Sequence, residues 1–345
     1  MYHHSPEALR ARNARRTLRI LLLAKHARSD GALDPVDGNH AVYHHELRTT
    51  LENLGYLVTA ANNYDALYER PDVDFVIPLL NRAGFTHSEM LAPLLLTRAG
   101  IPFLGAAPII RGLTDNKHLT KIVARSHGVP TADWKFFPRT STDTAPPPFA
   151  REGKLVVKPN ASSASWGVKV CDDWREAIDH VRWLHERAHD ALVERWHPLI
   201  DIAVPVIGGE TGKPWILPPM AYQPEDPTRV RSYEEKRGLV PTDALDPLFP
   251  VEDPGLVQRL KDAVAPLLRE FWPFDYGRFE FRFDPATGAI AFIEVNLSCN
   301  LWSKKTISRS ARLVGLSHEQ LVDTIVRHSL GRQRVIAAPQ PLAVY

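Results

Sequence analysis

The sequence predicts an α/β chain, with a parallel α/β layer first and a mixed α+β part after it. Three observations carry this. In the first third, short apolar runs at 18–24, 56–60 and 74–80 alternate with a helical stretch at 44–54, the pattern of a parallel sheet covered by helices. Residues 277–296 read as an antiparallel hairpin, with aromatic and β-branched residues alternating on both sides of the turn Pro285-Ala-Thr-Gly288. Between them and after them lie amphipathic helices with clear start signals, such as 254–271 and 317–330.

Taken in order, residues 1–16 are a basic arm. The run Ile20-Leu-Leu-Leu-Ala24 is too short for a signal segment and reads as a buried first strand. A polar loop, 25–40, holds Gly31 and Gly38, and the helix 44–54 closes at Gly55. His40, His44 and His45 sit at a helix start without an acidic partner pattern, so they read as ordinary helix-start residues rather than metal ligands. Asn81-Arg82-Ala83-Gly84 ends the third strand, where parallel sheets bind ligands. No Gly-x-Gly-x-x-Gly follows the first strand, so nothing supports a dinucleotide site.

A helix begins at Thr114 or Asp115 and ends at Gly128 ahead of Pro130. Lys117 in its first turn opposes the helix dipole, which makes sense if it faces an anion. The strand 155–159 presents Lys158. The loop after it, with Ser163, Ser165 and Gly167, can fold over phosphates with its backbone N–H groups. Trp174, Ala177, Ile178, Val181 and Leu184 mark a packing helix, and a strand at 191–195 follows, then Asp201 before another at 202–208. Residues 221–250 are long, polar and rich in Pro, Asp and Glu, as expected of a mobile active-site loop. Ser317 and Gln320 form a capping box.

On the hairpin's first strand, Phe279, Phe281 and Phe283 point one way and Arg278, Glu280 and Arg282 the other. Strict alternation on the second puts Phe292 with Glu294 and Asn296, and Ile293 with Val295 opposite. Glu280, Glu294 and Asn296 are then three hard oxygen ligands on one face, a set that suits Mg²⁺ shared with substrate phosphates. The plain alternative is a solvated face opposite a hydrophobic one.

Composition narrows the class. The 345 residues suffice for two or three packed units, and 42 Lys plus Arg against 40 Asp plus Glu give a net charge of +2, so no global field recommends nucleic acid. Two cysteines, Cys171 and Cys299, fit a reducing compartment, and no apolar run reaches membrane-spanning length. The expectation is a cytoplasmic protein without a membrane or nucleic-acid partner.

Several spaced motifs together resemble the ATP-grasp superfamily, and within it the D-alanyl-D-alanine ligases. They are Asn116-Lys117 through Gly128-Val-Pro130, Val157-Lys158-Pro159 with its Ser/Gly loop, Leu192-Val-Glu194-Arg-Trp196, Tyr233-Glu-Glu-Lys236, and Arg278-x-Glu280 with Glu294-Val-Asn296. The likeness covers roughly residues 90–330. It implies an N-terminal α/β substrate domain at 17–112, two ATP-grasp lobes at 113–192 and 193–330 that sandwich the nucleotide, and a tail at 331–345.

The resemblance implies residue roles as well. Lys117 and Lys158 would hold ATP phosphates under the loop of Ser163 and Ser165. Glu194, Arg195 and His197 would meet the adenine through their backbone, and Asp201 the ribose. Glu280, Glu294 and Asn296 would carry two Mg²⁺ ions, with Mn²⁺ an alternative. Arg278 would stabilise the transferring phosphoryl group or the following tetrahedral intermediate, and Lys236 would close over the phosphates. The chemistry would be a carboxylate–amine ligation through an acyl phosphate, by a homodimer.

The chain departs from the family at the substrate end. Asn116 and Glu280 stand where the family has Asp. Ser298-Cys299-Asn300 replaces its Ser-Pro-Gly, Lys305 falls where a Ser receives the acceptor, and the Gly-rich donor loop is absent from 25–38. Asn300, Lys304, Lys305 and Arg309 are therefore expected to shape a different acceptor site, for amino acids or small peptides. The alternatives are an orthodox D-alanine–D-alanine ligase of cell-wall synthesis and a nucleotide-binding protein without ligase activity.

Overall fold

The computed structural model describes residues 17–80, 87–151, 153–196, 200–208, 214–222, 233–239 and 248–336. The arm 1–16, the segment 81–84, His197, most of 221–250 and residues 337–345 lie outside them.

The first layer holds β1 (Arg19–Leu23), α1 (Asn39–Asn53), β2 (Leu57–Ala61), β3 (Phe75–Pro78) and α2 (Leu91–Ala99). Its three strands are parallel, in the order β2-β1-β3. Ile20, Leu21, Leu22 and Leu23 are all buried, as a strand covered on both faces requires. α1 starts at Asn39, five residues ahead of the expected helix, directly after Gly38. Its first turns therefore bring His40 and His44 to one face.

Next come α3 (Pro108–Asp115), α4 (Lys117–Ser126), β4 (Trp134–Phe137), β5 (Leu155–Pro159), β6 (Lys169–Cys171), α5 (Trp174–Glu186) and β7 (Ala191–Arg195). Thr114 and Asp115 do not cap α4. They finish α3, and the cap is Asn116, whose side chain accepts from Leu119 N at 3.0 Å. Tertiary contact settles this choice, because Lys117 N donates to Asn160 O at 3.1 Å and breaks the two helices apart there. The four strands form an antiparallel sheet, order β4-β7-β5-β6, packed on α5 through Leu155, Val157, Val193, Val181 and Leu184. The expected division at 192/193 falls inside β7.

The third part has β8 (Ile200–Ile207), β9 (Trp215–Ile216), β10 (Met220–Tyr222), the short α6 (Tyr233–Arg237), β11 (Leu248–Pro250), α7 (Pro254–Glu270), β12 (Tyr276–Phe283), β13 (Ile290–Asn296), α8 (Thr306–Leu313) and α9 (His318–Arg332). Its sheet runs β11-β10-β8-β12-β13 with β9 paired to β8, and α7 covers it through Leu256, Leu260, Val264 and Leu267. α8 and α9 return to the first sheet, where Ile307, Leu321, Ile325 and Leu330 join the core of Ile20, Leu22 and Leu47. Buried Asp275 fastens this return: it accepts from Gly105 N (2.6 Å), Ser329 Oγ (2.6 Å) and Arg332 Nε (2.7 Å).

One expectation of the hairpin is corrected. Glu280 faces Glu294 but Phe281 faces Phe292, so Ile293 is an extra residue in β13, a β-bulge. The bulge resets the alternation. Phe292 turns into the core, 1% exposed and edge-on to Phe281, while Glu294 and Asn296 stay on the opposite face. The freed Phe292 backbone bonds elsewhere, N to Pro130 O (2.7 Å) and O from Thr131 Oγ1 (2.8 Å). No helix among the described residues is long and apolar enough to cross a membrane, and Cys171 and Cys299 are both free and buried.

Candidate active site

A cavity of ≈ 2030 Å³ lies where the three sheets meet. The carboxyl end of each parallel strand opens onto it, with Lys25 after β1, Asn62 after β2 and Leu79 after β3. α4 presents Lys117, β5 presents Lys158, and β12 and β13 present Arg278, Glu280, Glu294 and Asn296. These residues, far apart in sequence, line one space.

The charges are arranged in pairs. Lys117 Nζ lies 2.9 Å from Glu294 Oε2 and 3.2 Å from Ser162 O. Arg278 Nε donates to Glu280 Oε1 at 2.7 Å. Lys158 Nζ is 2.7 Å from Glu194 Oε1. Glu280 and Glu294 are cross-strand partners, and like charges so placed are driven apart in acidity. Burial and Glu294 raise the Glu280 pKa against the pull of Arg278. Burial also pushes Glu294 up, but Lys117, Lys158 and Lys236 outweigh it and hold the carboxyl at about 2. Two carboxylates and an amide oxygen, with cations already on them, are a donor set that fits a hard divalent ion.

The loop after β5 arches over this space. Ala164 and Ser165 both have positive φ, and Trp166 N and Val168 N bond back to Ser163 O and Ser165 O. From the opposite side Lys236, on α6, donates to Ser165 Oγ at 2.5 Å. Burial lowers the Lys236 pKa, with Glu280, Asp201 and Glu294 opposing. α6 also rests on the start of α1, where Gly38 meets the carbonyl of Arg237 with no room for a side chain. Asp201, on the cavity wall, is held by Arg282 Nε at 2.6 Å, and the Arg282 guanidinium covers Trp196.

Of the expected acceptor residues, Asn300 and Lys305 line the cavity. Lys304 does not: it is exposed, with its ammonium 5.3 Å from the Trp302 ring. Arg309 likewise turns away and donates to Leu248 O at 2.9 Å. Lys305 differs from its neighbour because it is the extended residue that opens α8. Ser163, Glu194 and Arg195 lie on the wall.

Sequence reasoning passed over two features. Lys121 is 1% exposed and shares Glu194 with Lys158, at 3.3 Å from Oε1. Burial lowers its pKa to about 8, Glu194 opposing. Its spacing of four from Lys117 was the available signal. The second is a knot at the end of β1. His26 Nε2 lies 2.9 Å from Asp37 and Nδ1 3.8 Å from Asp34, and Lys25 also pairs with Asp37. Only Nε2 is hydrogen-bonded to a carboxylate; one ligand atom from each of His26, Asp34 and Asp37 lies within 4.8 Å of the other two, and Lys25 already neutralises Asp37.

The chain is similar to known proteins over most of its length. A D-alanine–D-alanine ligase of Oleidesulfovibrio alaskensis is 27% identical over 321 residues, spanning 91% of this chain and 97% of that protein. The homonymous enzyme of Haemophilus influenzae is 28% identical over 244 residues, 68% of this chain and 77% of that one. Among solved structures, D-alanine–D-alanine ligase of Bacillus anthracis complexed with ATP superposes with a TM-score of 0.70 at 20% identity, covering 92% of this chain and 99% of that one. D-alanyl-alanine synthetase A of Vibrio cholerae gives 0.70 at 18%, covering 92% and 100%. The family model described as D-ala D-ala ligase C-terminus matches residues 123–327, well over half the length, and the chain belongs to that family.

Proposed function

We propose that the chain is an ATP-dependent, ADP-forming carboxylate–amine ligase that joins amino acids or amino-acid-like substrates through an acyl phosphate. One observation carries the reading: Lys117, Lys158, Lys236 and Arg278 converge from two parts of the fold on the space in front of Glu280, Glu294 and Asn296. Several cations and a hard-ion ligand set around one pocket are the equipment of phosphoryl transfer, where positioning and charge neutralisation supply most of the rate.

In this reading Lys117 and Lys158 receive the polyphosphate, and the arch of Ser163 and Ser165 covers it with Lys236. Glu280, Glu294 and Asn296 would hold Mg²⁺, which neutralises and orients the phosphates when bound. The donor carboxylate attacks the γ-phosphorus and ADP leaves. Arg278 then faces the acyl phosphate, and the amine attacks its carbonyl carbon, loses a proton and expels phosphate. Lys305 and Asn300, which line the same cavity, would meet a negatively charged group of the acceptor. Two Mg²⁺ ions (or Mn²⁺), a homodimer and a cytoplasmic location belong to the same reading.

The test is a screen of acid–amine pairs, D-alanine with itself included, for release of ADP and phosphate, with mass spectrometry of the product. Stimulation by D-alanine alone identifies the orthodox enzyme, which the near full-length match to such ligases favours. Stimulation by other pairs identifies a ligase with changed substrates. No stimulation by any pair overturns the proposal. Glu294→Gln is expected to abolish turnover while leaving the circular dichroism spectrum unchanged, and undiminished turnover would remove Glu294 from the ion site.

A further inference from the structure

Behind the cavity wall a row of short contacts crosses from one sheet to another. Lys158 on β5 meets Glu194 on β7 at 2.7 Å. The same carboxylate oxygen lies 3.3 Å from Lys121 on α4. Lys121 Nζ donates to Thr131 Oγ1 at 2.7 Å, and that hydroxyl donates to Phe292 O at the bulge of β13, at 2.8 Å. Lys121 is 1% exposed and Glu194 5%, and the Trp134 ring closes over the Lys121 ammonium at 5.4 Å.

Glu194 thus has two ammonium groups for one carboxylate. They are not equivalent. Lys158 stands on the cavity wall, and its flexible four-carbon stem lets the ammonium follow an arriving anion. Lys121 is fixed by Thr131 and Trp134 and has no such freedom. A polyphosphate entering the cavity would draw Lys158 away from Glu194. A buried carboxylate stripped of its cation is strongly destabilised. A second, stationary ammonium removes that penalty.

Resting on the ligase reading above, we propose that Lys121 is a positioning residue for nucleotide binding: it keeps Glu194 charge-balanced so that Lys158 is free to engage phosphate. It also ties the sheet bearing Lys158 to the strand bearing Glu294, through Thr131 and the Phe292 carbonyl. Lys121 touches no substrate in this account.

The experiment measures binding of the Mg²⁺ complex of the non-hydrolysable analogue adenylyl imidodiphosphate by calorimetry, which needs no knowledge of the acid or amine. Lys121→Met is expected to weaken binding by roughly tenfold to a hundredfold, since Lys158 must then stay with Glu194 or leave it unpaired. Lys121→Arg should retain affinity to within about threefold. The decisive variant is Lys121→Met with Glu194→Gln, which removes the charge that needed balancing and should recover most of the lost affinity. A merely structural role predicts no such recovery. Wild-type affinity in Lys121→Met overturns the proposal, and so does a double variant no tighter than the single one. If Lys121→Met is insoluble, the double variant is expected to be soluble and to bind the analogue; failure of both also overturns it. Absence of binding by the wild-type protein would instead strike the ligase reading itself.

Discussion

Replacing Gly38 by alanine should disable the site without touching any residue in it. Gly38 has φ 56° and ψ −123°, a conformation that only glycine adopts without strain, so alanine costs on the order of 1–3 kcal/mol of stability. The contact is the larger effect. A Cβ at Gly38 lands on the Arg237 carbonyl, a backbone atom that can yield only if α6 moves as a unit. Relief needs a displacement of about 1 Å, enough to break the 2.5 Å bond from Lys236 to Ser165. A charge-assisted hydrogen bond of this kind contributes about 1.5–3 kcal/mol, so kcat/KM should fall roughly 10- to 150-fold. The assay is coupled ADP release with an active substrate pair. Gly55→Ala is the control: Gly55 also has positive φ (87°), but nothing lies within 4 Å of the added carbon. It should lower the Tm by a few degrees and leave kcat/KM unchanged. A folded Gly38→Ala protein with kcat/KM within about twofold of wild type would refute the reasoning.

Two further outcomes concern stability. Asp275→Asn should lower it by about 3–5 kcal/mol, because one fully buried carboxylate serves Gly105, Ser329 and the Arg332 guanidinium at once; thermal unfolding followed by circular dichroism should show a drop of about 4–7 °C, and a change under about 2 °C would contradict it. His44 is 3% exposed and burial depresses its pKa to about 3, with His26 and Arg237 adding to the effect. Below pH ~6.5 the unfolded chain therefore takes up a proton that the folded chain refuses, and stability falls as pH falls toward 3. The loss between pH 7 and pH 5 from this one group is about 2 kcal/mol. Urea titrations at the two pH values should show His44→Gln losing less by that amount, and an identical loss in both proteins would exclude His44 as the source.

What the sequence made legible was whatever is decided locally. The hairpin, the Ser317 cap and the buried run of β1 each follow from neighbouring residues alone. The position of Lys117 in a first turn was already informative, since its unfavourable place on the helix is explained by the anions it faces. What stayed hidden was decided across the chain. Thr114, Asp115 and Asn116 are all competent caps, and only the bond from Lys117 N to Asn160 O selects the third. Lys121 looks like a surface lysine until Glu194, far along the sequence, comes beside it. Lys304 and Lys305 are indistinguishable as letters, and the start of α8 alone sends one to the cavity and the other to water.

The extra residue in β13 bears on how the molecule could respond to its ligand. A regular strand would spend the Phe292 amide and carbonyl on its sheet neighbour; the kink at Ile293 releases both, and they are spent on Pro130 and Thr131 instead. The sole residue between that rivet and Glu294 is Ile293 itself. The segment that follows α4 is therefore joined to the Glu294 carboxylate by two peptide units of backbone.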